Sequence, residues 1–329
     1  MQKRGFFQLL GVGVVALAWL GTSSEAHAEW QPDQPVTLIV PYAAGGGTDI
    51  VARALLDVIN NNSLSPQPWV AVNRPGGGGM TALQYMADHA DDPLTLTMLT
   101  SSGMTSAMLQ EQLRLSWKQL TPIANLILDV EYLVTHQDSQ FKTLGDVIEY
   151  ADANPGKLRV GGAAIGTEDH LVTLMMQNNA DLEVRYVAHQ GGGEVKQNIA
   201  GGHLDVAWLN PSEMRGFLVD DGGTVVPLGV AWAEREEEFP DVPTFKEEGH
   251  DVIFDSFFRG VLGPKNLTED QVAFYADVIR QATDHPDWQQ ALVDQGLPGK
   301  YIAAADYQAA LQRWDDALTE LMPMVREAQ

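Results

Sequence analysis

The sequence predicts an α/β protein of two lobes, each a mostly parallel sheet flanked by helices, and three observations carry that reading. Short apolar runs alternate with segments of helical apolar period along the chain. Its 329 residues exceed what one hydrophobic core usually organises. No linker divides it into consecutive halves, yet two extended stretches, 123–134 and 253–262, are placed to carry the chain out of one lobe and back.

The elements follow in order. The run 36–41 is an apolar strand, and 48–60 sets Ile50, Ala54, Leu55, Val58 and Ile59 at helical spacing. A strand at 69–72, a helix at 80–87 and a strand at 94–99 complete the first group. The pattern resumes with strand 158–160, helix 167–177, strand 184–187, helix 194–200, strand 204–209 and strand 225–232. Helical period then holds over 268–283, 287–295 and 305–325. Strands alternating with helices point to parallel sheets covered on both faces. With the two crossings, lobe one is 29–128 plus 256–329, and lobe two is 129–255.

The N-terminus has the layout of a secretory signal peptide. Lys3 and Arg4 precede the apolar run 6–20, and Ala26-His27-Ala28 supplies a small-residue cleavage site. The run is shorter than the roughly 20 residues that cross a bilayer. Residues 1–28 are therefore expected to be removed on export to the periplasm, leaving no stable membrane insertion.

Acidic residues dominate, 44 Asp and Glu against 20 Lys and Arg, a net charge of −24. Such a field repels nucleic acid. An anionic ligand would need local donors to overcome it. The absence of cysteine excludes thiol catalysis and thiolate metal sites.

Four glycine-rich turns each follow a strand and open a helix. They are Pro41-Tyr42-Ala43-Ala44-Gly45-Gly46-Gly47-Thr48-Asp49, Asn73-Arg74-Pro75-Gly76-Gly77-Gly78-Gly79, Gly161-Gly162-Ala163-Ala164-Ile165-Gly166-Thr167 and Gln190-Gly191-Gly192-Gly193. Glycine lets a ligand approach the backbone, and a helix start offers unpaired N–H groups that suit a carboxylate or phosphate. In a parallel sheet these turns share the carboxyl edge, where ligands bind. Thr48 and Thr167 are candidate N-caps.

Competing chemistries lack their motifs. Gly45-Gly46-Gly47-Thr48-Asp49-Ile50 misses the third glycine of the dinucleotide fingerprint, and no phosphate-binding Gly-x-x-x-x-Gly-Lys-Ser/Thr loop is present. No Gly-x-Ser-x-Gly elbow or His-Glu-x-x-His zinc motif occurs. Glu168-Asp169-His170 invites a metal, but successive helical residues point about 100° apart, which sets them poorly for one ion. No metal or cofactor is expected. A secreted α/β hydrolase or lyase acting on a carboxylated substrate would need a nucleophile with its base, or a metal. A solute sensor docking on a signalling partner would use the same cleft as a transport receptor.

The ordered set of motifs resembles the substrate-binding receptors of tripartite tricarboxylate transporters, also called Bug receptors. Val40 to Asp49 followed by Ala52-Arg53 is similar to the family's first ligand loop and helix, and Asn73 to Gly79 to its second signature. Pro155-Gly156-Lys157-Leu158 leading to Gly166-Thr167-Glu168-Asp169-His170 resembles the loop that closes from lobe two. Gly191-Gly192-Gly193-Glu194, Gly201-Gly202-His203-Leu204-Asp205 and Asp241-Val242-Pro243-Thr244 continue it in order. Thr167 to His170, Gly193-Glu194 and Phe258-Arg259-Gly260 look closest to the tricarboxylate-binding branch. Thr48 stands where that branch often has Trp, and Phe257-Phe258 where it often has Asn-Trp.

The resemblance implies a periplasmic-binding-protein-like, venus-flytrap fold and no enzymatic activity. It implies a monomer that captures a small di- or tricarboxylate and hands it to a membrane permease. It also implies that the first loop and the 166–170 loop hold one ligand carboxylate, mostly through backbone N–H groups and ordered water. The expected ligand-binding set is Tyr42, Ala43, Ala44, Gly45, Gly46, Gly47, Thr48, Asp49, Ser101, Ala163, Ala164, Gly166, Thr167, Asp169, His170, Gly191, Phe257 and Arg259. Arg259 could pair bidentately with a second carboxylate, or form an ordinary ion pair with an acid such as Asp255. Asp49 and Asp169, at helix starts, would serve the dipole or meet a ligand amino group.

Overall fold

A computed structural model describes residues 30–189, 192–236 and 238–327. The signal peptide and Gly191 lie outside the described residues.

The chain forms two sheets. The first element is β1 (Val36–Val40), followed by α1 (Gly47–Asn61), β2 (Trp69–Asn73), α2 (Met80–Asp88), β3 (Thr95–Thr100) and α3 (Ser101–Leu109). Strand β4 (Thr121–Leu128) ends this run, and residues 129–131 carry the chain to the second sheet. That sheet is built from β5 (Tyr132–His136), α4 (Leu144–Ala153), β6 (Arg159–Gly162), α5 (Glu168–Asn179), β7 (Arg185–Ala188), α6 (Gly192–Ala200), β8 (Val206–Leu209), α7 (Pro211–Met214) and β9 (Val225–Val230). The return begins the first sheet again with β10 (Phe258–Gly263), α8 (Glu269–Asp284), α9 (Pro286–Gln295), β11 (Gly299–Ala303) and α10 (Ala304–Glu327). Strand orders are β11-β4-β10-β3-β1-β2 and β7-β6-β8-β5-β9.

Both sheets are mixed, which corrects the expectation of mostly parallel sheets. Strands β1, β2 and β3 run parallel, as do β6, β7 and β8. Strands β10, β4 and β11 pair antiparallel in the first sheet, and β5 pairs antiparallel with β8 and β9 in the second. The extended stretch 123–134 resolves into two strands of different sheets, β4 and β5. This topology puts the ends of β1, β3, β6 and β8 beside the crossings, so the loops that follow those strands face one region.

Helix α10 joins the two halves, packing on β4 and α3 of the first group and on α5 of the second. Its Trp314 stacks on Phe258 of β10, ring centroids 4.6 Å apart at 14°, and both rings are fully buried. No described helix is long and apolar enough to cross a membrane.

The second glycine turn is a packing device. Gly76 to Gly79 all have positive φ, where side chains are strained. A Cβ on Gly78 would lie 2.1 Å from Ser106 Oγ and 2.9 Å from Ser106 Cβ on α3. Gly78→Ala should therefore cost about 1–3 kcal/mol of stability in denaturant unfolding. A loss below about 0.5 kcal/mol would mean that the turn swings freely off α3.

Candidate functional site

The first loop leaves β1 and is braced from below by its own helix. Gly45, at φ +81°, donates its N–H to Asp49 Oδ2 at 2.8 Å. Asn73 Nδ2 donates to Asp49 Oδ1 at 2.8 Å and to the Tyr42 carbonyl at 3.0 Å. Arg53 Nε donates to Asp49 Oδ2 at 2.8 Å. The Arg53 bond is the main reason that the Asp49 pKa drops to about 2. Asp49 is thus a buried carboxylate with its oxygens occupied, and it holds the loop in shape. Helix α1 starts at Gly47 behind a Gly46 cap, so Thr48 is not the N-cap that the sequence suggests. The first bond into the helix is Ile50 N–H to Gly46 C=O, so the amides of Gly47, Thr48 and Asp49 point ahead of it. Residues Ala43 to Gly47 are exposed.

Arg259 rises from β10 under this helix start. A Cβ on Gly47 would meet Arg259 Nη2 at 3.6 Å. Arg259 Nη1 pairs with Asp129 Oδ2 at 3.0 Å, and the guanidinium lies 5.0 Å from the Phe257 ring centre. Asp129 is wholly buried at the crossing and also accepts the Val130 N–H. Its partner role corrects the suggestion of Asp255, which instead lies 3.8 Å from Arg313.

The second loop leaves β6 and repeats the brace. Asp169 Oδ2 accepts the Ala163 N–H at 2.7 Å. Gly166, at φ +88°, donates its N–H to His170 Nδ1 at 3.3 Å. Tyr186 packs on the His170 ring at 4.8 Å and donates its hydroxyl to the Ala163 carbonyl at 2.8 Å. Burial lowers the His170 pKa to about 4, so the imidazole is neutral and Nδ1 can accept. Thr167 does occupy the N-cap position of α5, but its hydroxyl bonds the Ala164 carbonyl instead of a helix amide.

A third helix start joins the two sheets. Thr100 caps α3, its Oγ1 accepting the Gly103 N–H at 3.1 Å and bonding the Tyr42 hydroxyl at 2.7 Å. At that N-terminus sits the carboxylate of Glu168, the first residue of α5. Glu168 Oε1 accepts from Ser101 Oγ at 2.6 Å, the Ser102 N–H at 3.0 Å and Ser102 Oγ at 2.7 Å. Ser102 Oγ also lies 2.8 Å from Oε2, and Thr105 Oγ1 donates to the Gly166 carbonyl at 3.1 Å. Among the expected residues Ser101 contacts the Glu168 carboxylate and Gly166 accepts the neighbouring Thr105 hydroxyl. Ser102 and Glu168 were not in the set, although Thr100-Ser101-Ser102 at a strand end is a recognisable cap sequence.

Acids collect around the crossing. Glu131, at the crossing, is 1 % exposed, and neither carboxyl oxygen has a hydrogen-bond partner among the described residues. Burial, then Asp169 and Glu213, raises its pKa well above the usual carboxylate range. Burial and then Glu213 raise Asp169 in the same direction, and burial raises Glu213. Among the described residues no group of three His, Asp or Glu is arranged to hold a metal ion.

Comparison with known proteins agrees with this architecture. The family described as tripartite tricarboxylate transporter family receptor matches residues 51–326. The UPF0065 protein in the gbd 5′ region of Cupriavidus necator is 31% identical over 313 residues, 93% of each chain. A solved TctC solute-binding protein from Polaromonas superposes with a TM-score of 0.76 at 22% identity, covering 88% of this chain and 99% of that one. MatC from Rhodopseudomonas palustris, solved with bound malate, gives a TM-score of 0.68 at 25% identity over 87% and 99%. The two-sheet α/β fold is that of the periplasmic-binding-protein-like receptors. The chain is a solute-binding receptor, not an enzyme, and belongs to the tripartite tricarboxylate transporter receptor family.

Proposed function

We propose that this receptor works as a monomer in the periplasm, after cleavage near Ala28, capturing a small di- or tricarboxylate between its lobes and passing it to a tripartite transporter permease. The lobes would be 29–128 with 256–329, and 129–255, hinged where the chain crosses. One observation carries the reading: Arg259 Nη2 lies beside Gly47 at the amide-rich start of α1, next to a second helix start that already holds a carboxylate, that of Glu168. Helix N-termini and guanidinium donors are the groups that bind carboxylates tightly. The malate bound to MatC supports a small dicarboxylate as the ligand class.

In this proposal one ligand carboxylate rests on the amides of Gly47 and Thr48, with Arg259 reaching a second. Gly45, by contrast, has its N–H committed to Asp49 and would shape the loop. Thr48, Ala163, Ala164 and Thr167 would line the walls, and His170 would order the second loop.

A thermal-shift screen across mono-, di- and tricarboxylates tests this. A tight ligand at 100 times its Kd should add about 2.7 kcal/mol of stability. If sugars or simple amines raise the midpoint and no carboxylate does, the ligand class is wrong.

A further inference from the structure

We propose that the cavity behind α3 is a second binding site, separate from the ligand cleft, for a monocarboxylate with an apolar body such as a medium-chain fatty acid.

The cavity has a volume of about 300 Å³, at the lower end of the roughly 300–1,000 Å³ of small-molecule sites. Met104, Ala107 and Met108 of α3, Leu83 of α2, and Leu115 and Trp117 of the segment after α3 line it. All of these but Met108 are buried. Ser101, Ser102 and Thr105, the α3 residues that meet the second sheet's α5 and its preceding loop, lie on the other side of the helix by its 100° step. An occupant therefore touches α3 without entering the cleft.

Glu111, Arg114, Ser116 and Asp315 also line the cavity, and all but Arg114 have protein partners. Glu111 pairs with Arg326. Asp315 accepts from Trp117 Nε1 at 2.9 Å and from Lys118 Nζ at 2.6 Å. Ser116 Oγ accepts the Lys118 N–H at 3.2 Å. The Arg114 guanidinium has no ion pair or hydrogen bond among the described residues. Arg114 is exposed and its backbone is left-handed, φ +52° and ψ +32°, a conformation costly for any residue with a Cβ. Glycine would be relaxed there, yet a long cation stands at the cavity mouth instead.

Apolar walls with one uncommitted guanidinium specify the occupant. A hydrocarbon body takes the walls out of water, and a carboxylate gives Arg114 the acid that it lacks. A second carboxylate would meet Glu111 and Asp315, so a dicarboxylate fits badly. A neutral apolar molecule would leave Arg114 without a partner. The ligand class thus differs from that of the cleft, where helix starts and Arg259 suit more than one carboxylate.

Methionine-methyl NMR of the purified receptor tests the site. Octanoate should shift the Met104 and Met108 signals, assigned with Met104→Leu and Met108→Leu. 1-Octanol should bind about threefold or more weakly than octanoate. In Arg114→Gln the two should bind alike, and Ala107→Phe, which fills the cavity, should abolish the shifts. If octanoate moves neither methyl, or if 1-octanol binds the wild type as tightly as octanoate does, the site is overturned. Octanoate binding that is unchanged in Arg114→Gln, or shifts that persist in a folded Ala107→Phe, would place the acid elsewhere and overturn it too. Because Arg114 is exposed, its replacement spares the core, and that variant decides even if Ala107→Phe fails to fold.

Discussion

Arg259→Ala should lower stability by about 3–5 kcal/mol, because it leaves Asp129 buried without its countercharge. The same change should weaken a dicarboxylate by roughly tenfold to a hundredfold, the usual worth of a charged hydrogen bond. These two losses are separable. Asp129→Asn removes the stranded charge, so the double variant Asp129→Asn/Arg259→Ala should recover most of the stability in urea unfolding. It should not recover the dicarboxylate affinity. A matched monocarboxylate, which reaches only the α1 amides, should lose much less than the dicarboxylate in either variant. Equal losses for the two ligands, or a double variant that binds like wild type, would reduce Arg259 to a brace between β10 and the crossing.

Much of this site is legible in the sequence because it is built from local rules. A glycine turn between an apolar strand and a helix places amides at the strand end wherever the strand lies. That suffices to find the loops at Gly45–Gly47 and Gly166. It does not tell which glycines face a ligand and which face the protein. Gly78 needs its missing side chain because Ser106 is there, and nothing in Asn73 to Gly79 names Ser106.

Long-range pairings are the other blind spot. Asp129 and Arg259 are 130 residues apart and meet because β10 returns antiparallel beside β4. Alternating strands and helices reveal elements but not their direction, which is why mostly parallel sheets were expected. Helix α3 also escapes, since Ser101-Ser102-Gly103 is poor helix sequence. It forms because Thr100 caps it and Met104 and Ala107 are buried in the core. Asp49 and Asp169 illustrate a third limit. Their place at helix starts is readable, but their use as braces for Gly45 and Ala163 is a matter of rotamer and distance.

Glu168 should set how readily the two lobes close. Its carboxylate leaves α5 and docks on α3 through three donors, so the contact exists only when the lobes are together. Any contact confined to the closed state stabilises that state, with or without ligand. Glu168→Ala should therefore shift the ligand-free receptor toward open forms, read as a larger radius of gyration in X-ray scattering. If the ligand-free receptor is mostly open already, the same loss should appear instead as roughly tenfold weaker binding. The Ser101→Ala/Ser102→Ala pair removes the other half of the contact and should reproduce the phenotype. Combined with Glu168→Ala it should add little, giving a coupling energy of about 1–3 kcal/mol in a double-mutant cycle. Additive effects would show that the serines and Glu168 act separately and that closure depends on other contacts.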